Sequence, residues 1–269
     1  MTTASKTISP SSGVASDVRP EPLTVLIVGG NRGIGLAFVR QYVELGYNVY
    51  ATYRACSVAE ASELLELEAQ NSLNLKTLTL DLADEQSIER AADAFDAKQL
   101  DILINCGAVC EIERVALSTT ADELMSRFRI NSVGPFLTTR AFLCHLKRSR
   151  QSHGLGGPDD VSAPLVVNMT SEMGSLSENR PENRPGTCMS YRASKAALNM
   201  ITLTLARELA DDGIALVVLS PGRCVTKMAK WRGQMYPDDS VASMIRVISG
   251  LGFKDSAKYL NFDGKPITW

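Results

Sequence analysis

Short apolar runs rich in β-branched residues alternate with helical segments along most of this 269-residue chain, and that alternation constrains the fold more than any other feature. Leu23–Val28 is an apolar run that stops at two glycines, as a buried parallel strand does. Gly33–Leu45 follows with Ile34, Phe38, Val39, Tyr42 and Val43 at helical spacing, and Gly46 closes it. The same pattern predicts strands at 48–52, 75–80, 101–105, 164–169 and 214–219. It predicts helices at 58–69, 85–95, 120–128, 132–147 and 190–210, with a last short strand inside 258–269. A chain of this kind builds one parallel sheet with crossover helices on both faces.

The expected fold class is therefore α/β: a single-domain, Rossmann-like, doubly wound parallel sheet of about seven strands. No internal repeat or shift of composition marks a second domain, so 22–269 is read as one domain, its cofactor half about 22–130 and its catalytic half about 131–269. Residues 1–21, rich in Ser, Thr, Ala and Pro, read as a mobile tail. Stretches 149–163 and 177–187, with their glycines and prolines, read as surface loops. A net charge of −2 supplies no basic surface for nucleic acid, and no run suits a signal peptide or a bilayer. Six scattered cysteines and two histidines show no metal-ligand spacing, which points to reduced thiols, no metal and a cytoplasmic protein.

Chemistry first appears at the end of the first strand. Gly29-Gly30-Asn31-Arg32-Gly33-Ile34-Gly35 is a turn without Cβ atoms feeding a helix start, where free N–H groups and the helix dipole favour a pyrophosphate. The second strand ends in Arg54, where an NAD-binding chain would place an acid. With Arg32 it suits a 2′-phosphate, so the expected cofactor is NADP(H). Tyr191 and Lys195 stand four apart at a helix start and share a face, and an ammonium near the phenol is expected to lower its pKa from about 10 toward working pH.

The glycine turn, Asn105, Asn131, Ser171, Tyr191-Arg-Ala-Ser-Lys195 and Pro221-Gly222 occur in an order that resembles the short-chain dehydrogenase/reductases over nearly all of the chain after residue 22. Ala51-Thr-Tyr-Arg54, the segment 191–200 and the ending Phe262–Trp269 are similar to the C-factor/sniffer-type carbonyl reductases within that family. The resemblance implies that Ser171, rather than Thr170, polarises the substrate oxygen and that Tyr191 is the proton donor. Lys195 tunes it and holds the nicotinamide ribose, while Asn131 positions a relay water. Cofactor contacts are implied for Gly29, Asn31, Arg32, Gly33, Ile34, Gly35, Arg54, Asp81, Leu82, Asn105, Cys106, Gly107, Tyr191, Lys195, Pro221, Gly222, Val225 and Thr226.

The chain departs from the family pattern at Cys106-Gly107-Ala108 and at Val28, which stands where a Thr is common. The implied activity is NADPH-dependent reduction of a ketone or aldehyde. The alternatives are an NADPH-binding regulatory or signalling protein and a biosynthetic enzyme with a different reaction. Met228, Trp231, Met235 and Tyr236 form either an apolar lid or a packed helix face. The family also implies a homodimer or homotetramer built on the helices near 132–147 and 190–210.

Overall fold

Adjacent residues of the strands are buried on opposite faces of one sheet, and this decides the layering. The computed structural model describes residues 21–110, 115–153, 163–180, 182 and 187–269. Its strands are β1 (Thr24–Val28), β2 (Asn48–Tyr53), β3 (Leu75–Thr79), β4 (Ile102–Asn105), β5 (Leu165–Met169), β6 (Ala215–Ser220) and β7 (Tyr259–Asn261). All neighbours pair in parallel, in the order β3-β2-β1-β4-β5-β6-β7. Val25, Ile27, Ile104, Val167 and Val217 point into one core, and Leu26, Val28, Leu103, Val166 and Leu216 into the other. Two-residue periodicity on strands with no polar face requires helices on both sides.

Helices α1 (Gly33–Glu44) and α8 (Pro237–Ser249) cover the first face with Phe38, Val39, Val241 and Met244. The second face is covered by α3 (Glu85–Asp93), by Phe142 and Leu146, and by the end of α7 (Met189–Glu208). The remaining helices are α2 (Ser62–Gln70), α4 (Ala121–Phe128), α5 (Gly134–Ala141) and α6 (Leu143–His153). None of the described helices is long and apolar enough to cross a membrane.

Four expectations need correction. The helix predicted over 58–69 begins as a 3-10 turn, Ala55–Ala61, because Ser57 leaves helical geometry, and becomes α-helical only at Ser62. The single helix predicted over 132–147 is three pieces. A π turn, Arg129–Val133, runs into α5, and the chain breaks at Phe142, whose ring is fully buried, before α6. That last helix continues to His153, so the predicted loop at 149–163 starts as helix, and 154–162 lies outside the described residues. Helix α8 was not anticipated, although Pro237 in its first turn, Asp238 and Asp239 beside it and buried Val241, Met244 and Ile248 are ordinary helix signals. Residues 1–20 of the predicted tail, and 181 and 183–186 of the second predicted loop, also lie outside the described residues.

Candidate active site

The strand order reverses between β1 and β4, and a cleft opens at their carboxyl ends, the position a doubly wound sheet reserves for a ligand. Its floor is made of close backbone approaches. Gly29 has φ +81°, and a Cβ there would lie 2.7 Å from Gly107 Cα. A Cβ on Gly35 would collide with the Gly29 carbonyl oxygen. Helix α1 then starts at Arg32 with no side-chain cap and no acid in its first turn, leaving its leading N–H groups to an outside acceptor. The hydroxyl lost at Val28 is supplied from the next strand: Thr52 Oγ1 accepts from Gly29 N at 3.0 Å.

This cleft, about 530 Å³, is lined by Gly29, Asn31, Arg32, Gly33, Ile34, Gly35, Arg54, Asp81, Leu82, Cys106, Gly107, Val225 and Thr226, thirteen of the residues expected there. Asp81 is not the helix cap. Its Oδ1 accepts from Ala83 N at 2.9 Å, while Asp84 caps α3. Thr226 packs against the glycine turn, its Cγ2 3.6 Å from where a Gly33 Cβ would be. A glycine floor, an uncapped helix start and two arginines fit an extended dinucleotide phosphate.

Ile34, Thr226 and Met228 are shared with a second cavity of about 330 Å³ that holds Ser171, Tyr191, Pro221 and Gly222. Ser171 follows β5 and caps a 3-10 turn, its Oγ accepting from Met173 N at 3.2 Å. The neighbouring Thr170 hydroxyl is spent on Asn199 Oδ1 at 2.6 Å. Tyr191 sits in the first turn of α7, and Lys195 one turn on, its Nζ 5.7 Å from the Tyr191 ring centre.

The Tyr191 phenol does not behave as the sequence predicts. Burial pushes its pKa above 10.0, with Cys110 adding to the rise, against a Ser171 hydrogen bond that favours the phenolate. Lys195 is itself 2% exposed, and burial lowers its pKa to about 8. Its ammonium donates to the Met169 carbonyl at 2.6 Å. Burial disfavours the charged form of both groups, yet Lys195, at about 8, still carries its proton at neutral pH.

Three expected residues line neither cavity: Asn105, Asn131 and Lys195. Asn131, in the π turn and fully buried, bonds both ways to the Val109 backbone at 2.9 Å and donates to Ser194 Oγ at 3.0 Å. Asn105 Nδ2 donates to Asn168 Oδ1 at 2.8 Å, and its own Oδ1 has no hydrogen-bond partner among the described residues. The Met228 group is not a helix face, because α8 starts at Pro237. Met228, Trp231 and Tyr236 instead line the first cleft. Sequence reasoning passed over Lys227, Cys110 and Cys188, which also line the two cavities. Cys188 stands three residues before Tyr191, a spacing that already puts it beside the phenol.

Residues 23–237 match the profile of a family described as short chain dehydrogenase. The chain belongs to that family. Among solved structures, this short-chain dehydrogenase superposes on the NADPH-bound carbonyl reductase from chicken fatty liver with a TM-score of 0.84 and 32% identity, covering 92% of this chain and 99% of that one. It is similarly close to the carbonyl reductase Sniffer of D. melanogaster, at TM-score 0.81 and 28% identity over 92% and 100% of the two chains. The C-signal protein of Myxococcus xanthus is 31% identical over 170 residues, 63% of this chain and 93% of that one.

Proposed function

We propose that this chain reduces a ketone or aldehyde to an alcohol with NADPH. The observation that carries the reading is the contiguity of the two cavities: Tyr191 and Ser171 line a pocket that shares Ile34, Thr226 and Met228 with the glycine-turn cleft. The carbonyl reductase from chicken fatty liver to which this chain is similar is NADPH-bound, which supports NADPH as the occupant of the glycine-turn cleft. The glycine turn and the start of α1 would hold its pyrophosphate, Arg32 and Arg54 its 2′-phosphate, Asp81 and Leu82 its adenine side, and Val225 and Thr226 its nicotinamide side. When bound, NADPH supplies the hydride for the carbonyl carbon.

The protein supplies the proton and the geometry. Ser171 donates a hydrogen bond to the carbonyl oxygen and orients it. Tyr191 gives its phenolic proton to that oxygen as negative charge develops. A phenol kept protonated by burial is suited to that direction, since a donor must hold its proton until the oxygen becomes basic. Lys195 is the positive group that stabilises the phenolate left behind, and Asn131, bonded to the Val109 backbone, positions the water that relays the replacement proton from solvent. The assembly is a homodimer or homotetramer acting on a small molecule in the cytoplasm.

Purified protein should consume NADPH in the presence of some member of a ketone, aldehyde and quinone panel. Tyr191→Phe should lower turnover by roughly 10²–10⁴-fold with NADPH binding retained. Undiminished turnover in that variant removes Tyr191 from the mechanism, whereas NADPH binding without any turnover favours a regulatory protein.

A further inference from the structure

The cofactor cleft has a charged rim that the glycine turn and the arginine pair do not account for. Glu60, on the 3-10 turn Ala55–Ala61, accepts from Arg32 Nη1 through Oε2 at 2.9 Å and from Lys227 Nζ through Oε1 at 2.9 Å. The Asn31 amide donates to the Glu60 carbonyl at 3.2 Å. Lys227 lies 167 positions away, in the loop after β6, and reaches this carboxylate from the opposite side of the cleft. The Lys227 hydrogen bond, then the charges of Arg32, Lys227 and Arg54, hold the Glu60 carboxyl below the usual range, so it stays ionised at neutral pH. Arg32, Arg54 and Lys227 all line the cleft.

Two cations, Arg32 and Lys227, thus pair with one carboxylate of the chain itself, and Arg54 acts on it electrostatically beside the strand end where a 2′-phosphate is expected. Both ion pairs are largely exposed, with side-chain exposures of 47% and 38% for Arg32 and Glu60 and 64% for Lys227. Pairs of that kind are weak and exchange readily. A phosphate monoester brings nearly two charges and three acceptor oxygens against the single charge of a carboxylate, and so competes well for the same donors.

We propose that Lys227 joins Arg32 and Arg54 as an anchor for the cofactor's 2′-phosphate, and that Glu60 is the internal anion which that phosphate displaces. The inference rests on the NADPH reading above and deepens it. Lys227 adds affinity for the phosphorylated cofactor alone, because NADH carries only an uncharged hydroxyl at this position. Glu60 subtracts from that affinity by holding the cations and repelling the incoming anion. The pair sets how strongly the protein separates NADPH from NADH.

Dissociation constants for NADPH and NADH, measured by nucleotide fluorescence on the wild type, Lys227→Gln and Glu60→Gln, test this without turnover. Lys227→Gln should weaken NADPH by roughly fivefold and leave NADH unchanged. Glu60→Gln should tighten NADPH by a similar factor, again without moving NADH. Equal weakening of both cofactors by Lys227→Gln, or no weakening, overturns the anchor. Unchanged or weaker NADPH binding in Glu60→Gln overturns the displacement. A wild type that does not prefer NADPH over NADH overturns the cofactor reading itself, a result distinct from variant failure on a wild type that does. Unaltered melting temperatures in both variants keep folding out of the comparison.

Discussion

At the scale of single residues, water exclusion governs the site. Lys195 has its pKa lowered to about 8 by burial, against 10.5 when exposed. Between those values the unfolded chain binds more protons than the folded one, so unfolding free energy should rise with pH, by up to about 1.4 kcal/mol per unit. Burial opposes this contribution at the thiols of Cys106, Cys224 and, with its neighbour Cys188, Cys110, and above about 10 also at the phenols of Tyr42, Tyr191 and Tyr259, because at each of them the unfolded state ionises first. In urea unfolding between pH 8 and 9.5, the unfolding free energy of the wild type minus that of Lys195→Met should rise with pH, since the thiols are common to both proteins and cancel. A second residue-scale outcome concerns Gly35, where a methyl group meets the Gly29 carbonyl. Gly35→Ala should cost roughly 1–3 kcal/mol in thermal or denaturant unfolding and abolish tight dinucleotide binding. Of the catalytic candidates, Ser171, Tyr191 and Lys195 were legible because their spacing is fixed by a strand end and one helix. The pKa direction was not, because a sequence shows the neighbouring charge and hides the burial that outweighs it.

At the scale of elements, β7 and the segment after it brace the loop that carries Ser171. Tyr259, on β7, donates from its phenol to the Ser171 carbonyl at 2.6 Å. Trp269 lies against the Tyr259 ring with centroids 5.1 Å apart, and Ser175 Oγ donates to the Thr268 carbonyl at 2.6 Å. These contacts show what the last residues pack against. Removing the phenol in Tyr259→Phe should destabilise by about 1 kcal/mol. It should lower kcat several-fold while KM for NADPH holds, which denaturation curves and steady-state kinetics measure together. An unchanged kcat would make the brace purely structural. The π turn at Arg129–Val133 escaped prediction for a related reason: Asn131 is held by Val109 and Ser194, contacts distant in sequence that override the local helical pattern.

For the whole molecule, the exposed face of α7 carries Met200, and α4 beside it carries Met125, both more than 60% exposed. Met200 lies on one of the two helical regions, near 132–147 and 190–210, on which the proposed dimer or tetramer would form. Light scattering should report an oligomer for the wild type, and Met200→Glu should shift it toward monomer. A wild-type monomer rejects the assembly.

The sequence by itself determined the layered sheet, the glycine turn and the Tyr191–Lys195 pairing, because each depends on periodicities and spacings within about a dozen residues. Only the tertiary structure decided that Thr170 is committed to Asn199, that Asn105 and Asn131 lie behind the cavities, and that Lys227 meets Glu60 across the cleft. Those outcomes depend on which chemical groups a folded chain brings together over long separations and on how much water it leaves around them. Local pattern carries neither quantity.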